Sequence, residues 1–188
     1  QRFITYKSPI NSLAFNPVQG TNLMIALRLF QYLDKDLWYH KWTGDLDLSY
    51  GFANKRLNAK ASIYYRFNPF KNIQLRWAGG SILSEFNSYQ NVSSLYNTFS
   101  SLLNKNNALK LFQQDFIQFD ASRDINYSIR SHFSLFYINR SSVSNQSQYS
   151  WLKKDEIYLT NQTTEYGQEL LKIGHQRLLK TNIRFEIQ

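Results

Sequence analysis

The chain has 188 residues, 43% of them hydrophobic and 16% aromatic, with no cysteine and a formal net charge of +9. This length suits one domain rather than two, and the lack of cysteine excludes disulfides, thiol catalysis and thiolate metal sites. The mean hydropathy is -0.48 and the longest apolar run is Leu23–Leu27. Both exclude a bundle of membrane-spanning helices, each of which needs about 20 apolar residues.

The first half of the chain is predicted to form long strands, because apolar and polar residues alternate along it. After the end of an earlier strand at 1–7 and an irregular lead-in at 8–20, we predict strands at 21–33, up to 51, up to 67 and at 73–81, with turns at 34–36, 53–55 and 68–72. The apolar set of the third strand is Leu57, Ala59, Ala61, Ile63, Tyr65 and Phe67. A period of two gives such a strand one apolar and one polar face.

The periodicity changes in the second half of the chain. Apolar residues recur at helical spacing over residues 93–116, which predicts a helical insertion near 93–112, broken into two short helices at 104–107. Strands are predicted again at 116–122, 125–139 and 176–187, with a polar stretch at 140–174 between the last two.

Strand length decides the predicted fold class. Several predicted strands pass ten residues, whereas soluble strands usually have about 5 or 6. Strands that cross a membrane as a barrel have about 9–11 residues or more, because they are tilted. We therefore predict an all-β antiparallel meander of about seven or eight strands, forming part of a transmembrane outer-membrane β-barrel with a short helical insertion. An aromatic-rich β-sandwich is the alternative.

The ends of the chain indicate a fragment. It starts at Gln1, without an initiator Met or signal peptide, and it ends inside a strand-like pattern. We expect residues 1–188 to be a single barrel region of a longer protein, with unpaired edge strands at both ends that prevent the isolated piece from refolding as a monomeric barrel.

Alternation also predicts which face of each strand meets lipid. The residues expected to face lipid are Leu46, Leu48, Leu57, Ile63, Ile129 and Leu135; those expected to face inward are Asp45, Asp47, Lys60, Arg66, Arg130 and His132. Aromatic side chains that could sit at the membrane interfaces are Trp38, Trp42, Tyr50 and Tyr137.

Basic residues on the polar faces are the main binding candidates. The lumen-facing set is Arg28, Lys60, Arg66, Arg76 and Arg130, with Arg184 on the last strand. They could attract anions into a lumen. The alternative, which we favour, is pairing with Asp45, Asp47 and Glu186 across neighbouring strands. Because no run of cations exceeds Lys153-Lys154, we expect no nucleic-acid partner.

Catalytic signals are weak. His132 and Ser134 lie two apart on one strand face, an arrangement similar to the His-x-Ser pair of outer-membrane phospholipases. Here the pair falls on the polar set, away from lipid, so we expect no catalytic residue and no enzyme activity. His40 and His175 are isolated, no spacing suits a metal ion, and no phosphate-binding loop occurs. We therefore expect no metal and no cofactor.

Four motifs, in order, resemble those of a known family. Phe15–Gly20 resembles an F-N-x-V-x-G signature, with Pro17 and Gln19 where Thr and Glu are expected. The other three are Tyr50–Arg56, Asn97–Leu103, and Asn139-Arg140 with the later Asn161. The family is a large group of Bacteroidetes outer-membrane barrels of unknown function, with an N-terminal carboxypeptidase-regulatory-like domain that has no peptidase chemistry.

The resemblance implies an outer-membrane location and a C-terminal barrel, with no known substrate. Together with the residue patterns, it leads us to expect a non-enzymatic outer-membrane protein with a scaffold, assembly or transport role. Its expected partners are outer-membrane lipid and, as a second class, other envelope proteins. The alternative is a lipid hydrolase that uses His132 and Ser134, and a weaker alternative is a soluble basic β domain that binds anionic polymers.

Overall fold

The computed structural model describes residues 2–7, 12–33, 40–68, 70–86, 92–161 and 175–187. They form one antiparallel sheet and one helix. In chain order the elements are β1 (Arg2–Lys7), β2 (Ala14–Asn16), β3 (Gly20–Tyr32), β4 (Lys41–Gly51), β5 (Arg56–Phe67), β6 (Ile73–Glu85), α1 (Ser94–Asn104), β7 (Leu111–Asp124), β8 (Ile129–Ser142) and β9 (Gln176–Ile187).

The sheet is a meander, because from β3 onwards each strand pairs with the next in the chain. The spatial order is β1-β3-β4-β5-β6-β7-β8-β9. β1 pairs with residues 26–31 of β3 and β2 with residues 20–22, so the two lie end to end along the same edge of β3. Among the described strands β1 and β9 are the edges, so the sheet is not closed. Every pairing is antiparallel, and β1 therefore runs opposite to β9.

The register separates the two faces of the sheet. One, which we call the polar face, holds Arg28, Asp45, Ser62, Arg76, Asp120, Ser134 and Asn182. The other, the apolar face, holds Ile25, Leu48, Leu57, Ile63, Trp77, Ile117, Leu135, Tyr137 and Leu179. The apolar face is the more exposed: Leu57 is 59% accessible, Ile63 54% and Ile117 69%. This distribution of apolar and polar side chains is the reverse of that in a soluble protein, whose apolar face is buried in the core.

One end of the sheet carries a compact layer, which we call the cap (residues 12–19, 92–110 and 143–161). Its helix α1 begins at the N-cap Ser93, whose hydroxyl accepts from the Tyr96 amide, and ends at Lys105 in the left-handed conformation. Phe15, Leu102 and Tyr158 form its small buried core. The amides of Gln146 and Ser147 donate to the Pro17 carbonyl, which fastens the long loop to the lead-in of β3.

Most of the predicted meander is confirmed, with five corrections, the first of which is that β2 lies in the lead-in predicted as irregular. The prediction of a second short helix is wrong, because irregular chain follows α1. β7 begins at Leu111 rather than near 116. β8 begins at Ile129, because Asn126 accepts the amides of Ser128 and Ile129 and so bends residues 125–128. β6 continues past 81 to Glu85. The predicted turn at 34–36 lies outside the described residues.

The alternative of a two-layer sandwich is not what the structure has. The described strands form a single sheet, and Leu57 and Ile63 are exposed rather than buried between layers. Among the described residues, no helix has the length and apolar content to span a membrane.

Candidate functional site

The predicted cations all lie on the polar face, and most have an acidic neighbour. Arg28 Nε lies 2.6 Å from Asp45 Oδ1, and Lys60 Nζ lies 3.8 Å from Asp47 Oδ2. Further along the sheet, Arg76 lies 4.0 Å from Asp120 and Arg130 lies 3.4 Å from Asp124. Arg66 lies on the same face, opposite Lys41 and Gln74.

These ion pairs follow from the register. Arg28 is directly opposite Asp45, and Asp47 is opposite Lys60. Asp120 is opposite Arg76, and Asp124 is opposite Arg130. Cross-strand neighbours of opposite charge stabilise a sheet only slightly at such accessible positions. Their main effect is that Arg28, Lys60, Arg76 and Arg130 are locally neutralised.

Two depressions lie on the polar face. The first, of about 520 Å³, is bordered by Arg28, Asp45, Asp47 and Lys60. The second, of about 330 Å³, is bordered by Tyr64, Arg76, Asp120, His132, Ser134 and Arg184. Since both depressions lie on the less exposed face, we infer that the sheet curves toward its polar side.

The candidate catalytic pair is not assembled. His132 Nε2 lies 3.0 Å from Glu186 Oε2, and Arg184 donates to the other carboxylate oxygen at 2.9 Å. Within the described chain no hydrogen bond joins His132 to Ser134, which lies opposite Asp120 and Asn182 in the register. The imidazole is therefore engaged by a carboxylate, and the hydroxyl is not activated by it. The described residues contain no group of three or more His, Asp or Glu that could hold a metal ion.

The aromatic candidates lie on the apolar face at different heights. Trp42 lies at the end away from the cap, opposite Tyr65, whose ring stacks on Phe67 at 5.2 Å. Tyr50 lies at the capped end and meets Phe52 edge-on, also at 5.2 Å. Tyr137 lies between these levels, opposite Ile117. Trp38 lies outside the described residues.

The cap is held by amide side chains that pattern reasoning did not single out as site residues. Asn161 accepts the Leu111 amide at 3.0 Å and donates to the carbonyls of Leu111 and Val143 at 2.6 and 2.9 Å. Asn97 accepts the Leu109 amide, and Lys105 donates to the carbonyls of Lys154 and Glu156. These bonds fasten the long loop of residues 143–161 to β7 and α1.

Tyr158 makes the cap sensitive to high pH. Its hydroxyl lies 2.7 Å from the Ser101 carbonyl and 2.9 Å from that of Tyr149, and burial raises its pKa from 10.0 to about 12. The unfolded cap loses this proton first, so the stability that the neutral phenol supports is complete below about pH 10 and is lost as the pH rises towards about 12. We therefore expect cap cleavage in limited proteolysis to increase across this range.

The Tyr158→Phe variant is the comparison for this experiment. Phenylalanine cannot ionise, so cleavage of the variant should start higher, because the hydrogen bond that the phenol donates is lost, but should rise less between pH 10 and 12. An equal rise in both proteins would assign the effect to other groups.

Comparisons with known proteins give one match. No curated protein and no solved structure matches the chain. The model of a family described as "Family of unknown function (DUF5686) C-terminal domain" matches residues 1–188. Because this match covers the whole sequence, the chain belongs to the C-terminal domain of the DUF5686 family of unknown function.

Proposed function

We propose that this domain is part of a non-enzymatic outer-membrane β-barrel whose apolar face meets lipid. The observation that carries the proposal is the reversed distribution of side chains on long strands of 11–14 residues. Along β8, Phe133, Leu135 and Tyr137 are exposed, whereas the intervening His132, Ser134 and Phe136 are partly buried. Outward apolar and inward polar residues are the pattern of membrane barrels.

The extent of the exposed apolar surface supports the same proposal. Soluble monomers rarely expose contiguous apolar patches beyond a few hundred Å². Here the patch crosses all the long strands and includes Ile25, Leu57, Ile63, Trp77, Ile117, Leu135, Leu179 and Ile183, each more than a third accessible. Water is a poor solvent for such a surface, and hydrocarbon is a good one.

The apolar band also crosses the strands obliquely, as tilted strands require. On β3 it spans Leu23–Leu29 and is centred near Ala26, whereas on β9 it spans Leu179–Ile187 and is centred on Ile183. When directly opposite residues are followed from strand to strand, Ala26 on β3 corresponds, across five intermediate strands, to Leu178 on β9. The centre therefore moves five residues, about 17 Å, over six strand spacings of about 29 Å. This slope corresponds to a tilt of about 30°, close to the 35–45° of membrane barrels.

Loop lengths give the proposed barrel an orientation. At the end away from the cap, short turns at 68–72 and 125–128 join the strands, whereas the described parts of two longer connections, 92–110 and 143–161, lie at the capped end together with the short turn at 52–55. Bacterial barrels have short periplasmic turns and long extracellular loops. The cap would accordingly face the outside of the cell.

For the role of the protein within the membrane we propose only a broad class. Because most of its cations are paired with acids, the polar face does not favour a strongly anion-selective pore, and a scaffold, assembly or neutral-solute transport role fits better. Outer-membrane lipid is the proposed partner, with other envelope proteins as a second class. The Bacteroidetes origin and the regulatory-like N-terminal domain implied by the motif resemblance are part of this proposal.

Membrane fractionation of the full-length protein, combined with a heat-modifiability gel, tests the proposal. We expect the protein in the outer-membrane fraction, with an unboiled band that migrates apart from the boiled one, because a folded barrel resists the detergent. Recovery in the soluble fraction with one band under both conditions would favour the soluble β domain and contradict the proposal.

A further inference from the structure

The apolar band ends abruptly on β7, β8 and β9 at a row of polar side chains. Asp115, Asn139 and Arg177 lie directly opposite one another on adjacent strands. Two residues further from the cap, on the same face, is the row of Ile117, Tyr137 and Leu179. The polar row therefore lies at the boundary where, under the proposed function, hydrocarbon meets headgroups.

The charges of this row differ from those of the polar face. There, most cations have a carboxylate within 4.0 Å. Asp115 and Arg177 are exposed, and neither forms an ion pair with any other described residue. Their strands are two spacings apart, about 10 Å, so a carboxylate and a guanidinium flank a gap that no protein charge fills.

The gap holds a shallow, open cavity of about 270 Å³, which is bordered by Gly80, Ile117, Tyr137 and the three polar residues of the row. Asn139, in the middle, has a side-chain oxygen that is shielded from solvent and has no hydrogen-bond partner.

The carboxylate at one side of the cavity is held in place. Ser81 donates to Asp115 Oδ1 at 2.5 Å, and Gln113 donates to Ser81 Oγ at 2.8 Å. Gln113 is almost fully buried and also donates to Asn58 at 3.1 Å. This chain fixes the position of the Asp115 carboxylate at the edge of the cavity.

Resting on the proposed membrane location, we infer that this cavity binds the phosphoethanolamine group of a membrane lipid. Arg177 would take the phosphate, since a guanidinium donates two parallel hydrogen bonds to phosphate oxygens. Asp115 would take the ammonium. The acyl chains would run from the cavity over Ile117, Tyr137 and Leu179 toward the centre of the band.

Lipid binding to the full-length protein in mild detergent tests this inference, measured by native mass spectrometry. The ligands are a phosphatidylethanolamine, a phosphatidylglycerol with the same acyl chains, and free phosphoethanolamine. We expect Arg177→Gln to weaken both lipids about tenfold and Asp115→Asn to weaken only phosphatidylethanolamine by a similar factor. The matched control is Lys180→Gln, on the same strand but on the polar face, which should bind both lipids as the unaltered protein does.

The outcomes separate the site from the barrel. If Arg177→Gln and Asp115→Asn bind lipid like Lys180→Gln while all the proteins fractionate with the outer membrane and shift on the gel, the headgroup site is wrong and the barrel stands. Binding of free phosphoethanolamine as tightly as of the lipid would overturn the lipid as ligand. If the unaltered protein is soluble, the proposed function fails, and this inference fails with it.

Discussion

Replacing Ile63 by Arg is expected to destabilise the full-length protein by about 2–4 kcal/mol in vesicles. Ile63 lies near the middle of the oblique apolar band, on the face proposed to meet lipid, and it is 54% exposed. In water, a charged residue at such an exposed position costs within about 0.5 kcal/mol. In hydrocarbon the guanidinium loses its hydration, so the size of the effect reports the solvent around β5. Urea unfolding of the protein folded in vesicles, followed by tryptophan fluorescence, gives the free energy.

Leu57→Arg is the matched control, because the residue lies on the same strand and face and is 59% exposed. It differs in height, being six residues nearer the capped end. Near the interface the cost of arginine falls to about 0–1 kcal/mol. Equal small costs at both positions would mean that the apolar face meets water, and the barrel proposal would then be wrong.

Gly80→Ala should lower the free energy of unfolding by about 3 kcal/mol or more. The cause is the backbone conformation at this position and not the solvent around the new side chain. Gly80 has a φ of +152°, a conformation that L side chains rarely adopt. A Cβ there would overlap the Ala59 carbonyl oxygen and lie 2.7 Å from Lys60 Cα. Both atoms belong to the neighbouring strand, so relief requires β5 and β6 to separate. Chemical denaturation of the full-length variant measures the loss.

Gly44→Ala provides the comparison for Gly80. It also lies in the sheet, but its φ is not positive, and the nearest atom to an added Cβ is in the flexible Trp42 side chain, at 3.3 Å. We expect a cost below about 1 kcal/mol. If both alanine variants were equally stable, β5 and β6 would not approach as closely at Gly80 as the structure indicates.

Strand periodicity predicted those parts of the fold where one face is uniformly apolar. Residues 57–67 and 182–187 alternate without interruption, and the strands that contain them, β5 and β9, cover almost the predicted ranges. The end of β6 was missed because Gly79 and Gly80 interrupt the alternation. The start of β7 was missed because Leu111 and Phe112 continue the helical spacing of Leu102 and Leu103, a short-range pattern that two different structures satisfy.

The candidate sites, like the fold, were predicted from the sequence only in part. Alternation placed Arg28, Lys60, Arg76 and Arg130 on one face, and Asp45 and Asp47 were predicted as acidic partners and are confirmed. The partners Asp120 and Asp124 were missed, because their pairing depends on the register, which a single sequence does not supply. The cap depends on bonds between residues about 50 positions apart, such as Asn161 with Leu111. Such contacts leave no period in the sequence. Asn161 was identified in the sequence only through the motif resemblance.

The opposite directions of β1 and β9 restrict how the architecture can grow. If these two edges were joined directly, they would meet antiparallel, and the eight positions of the sheet would form an even ring. One inserted strand would force a parallel contact at one seam, whereas two would restore the alternation. An all-antiparallel ring that includes this sheet could therefore be enlarged only by whole hairpins. The diameter of any ring that includes it can take only discrete values, each two strands apart.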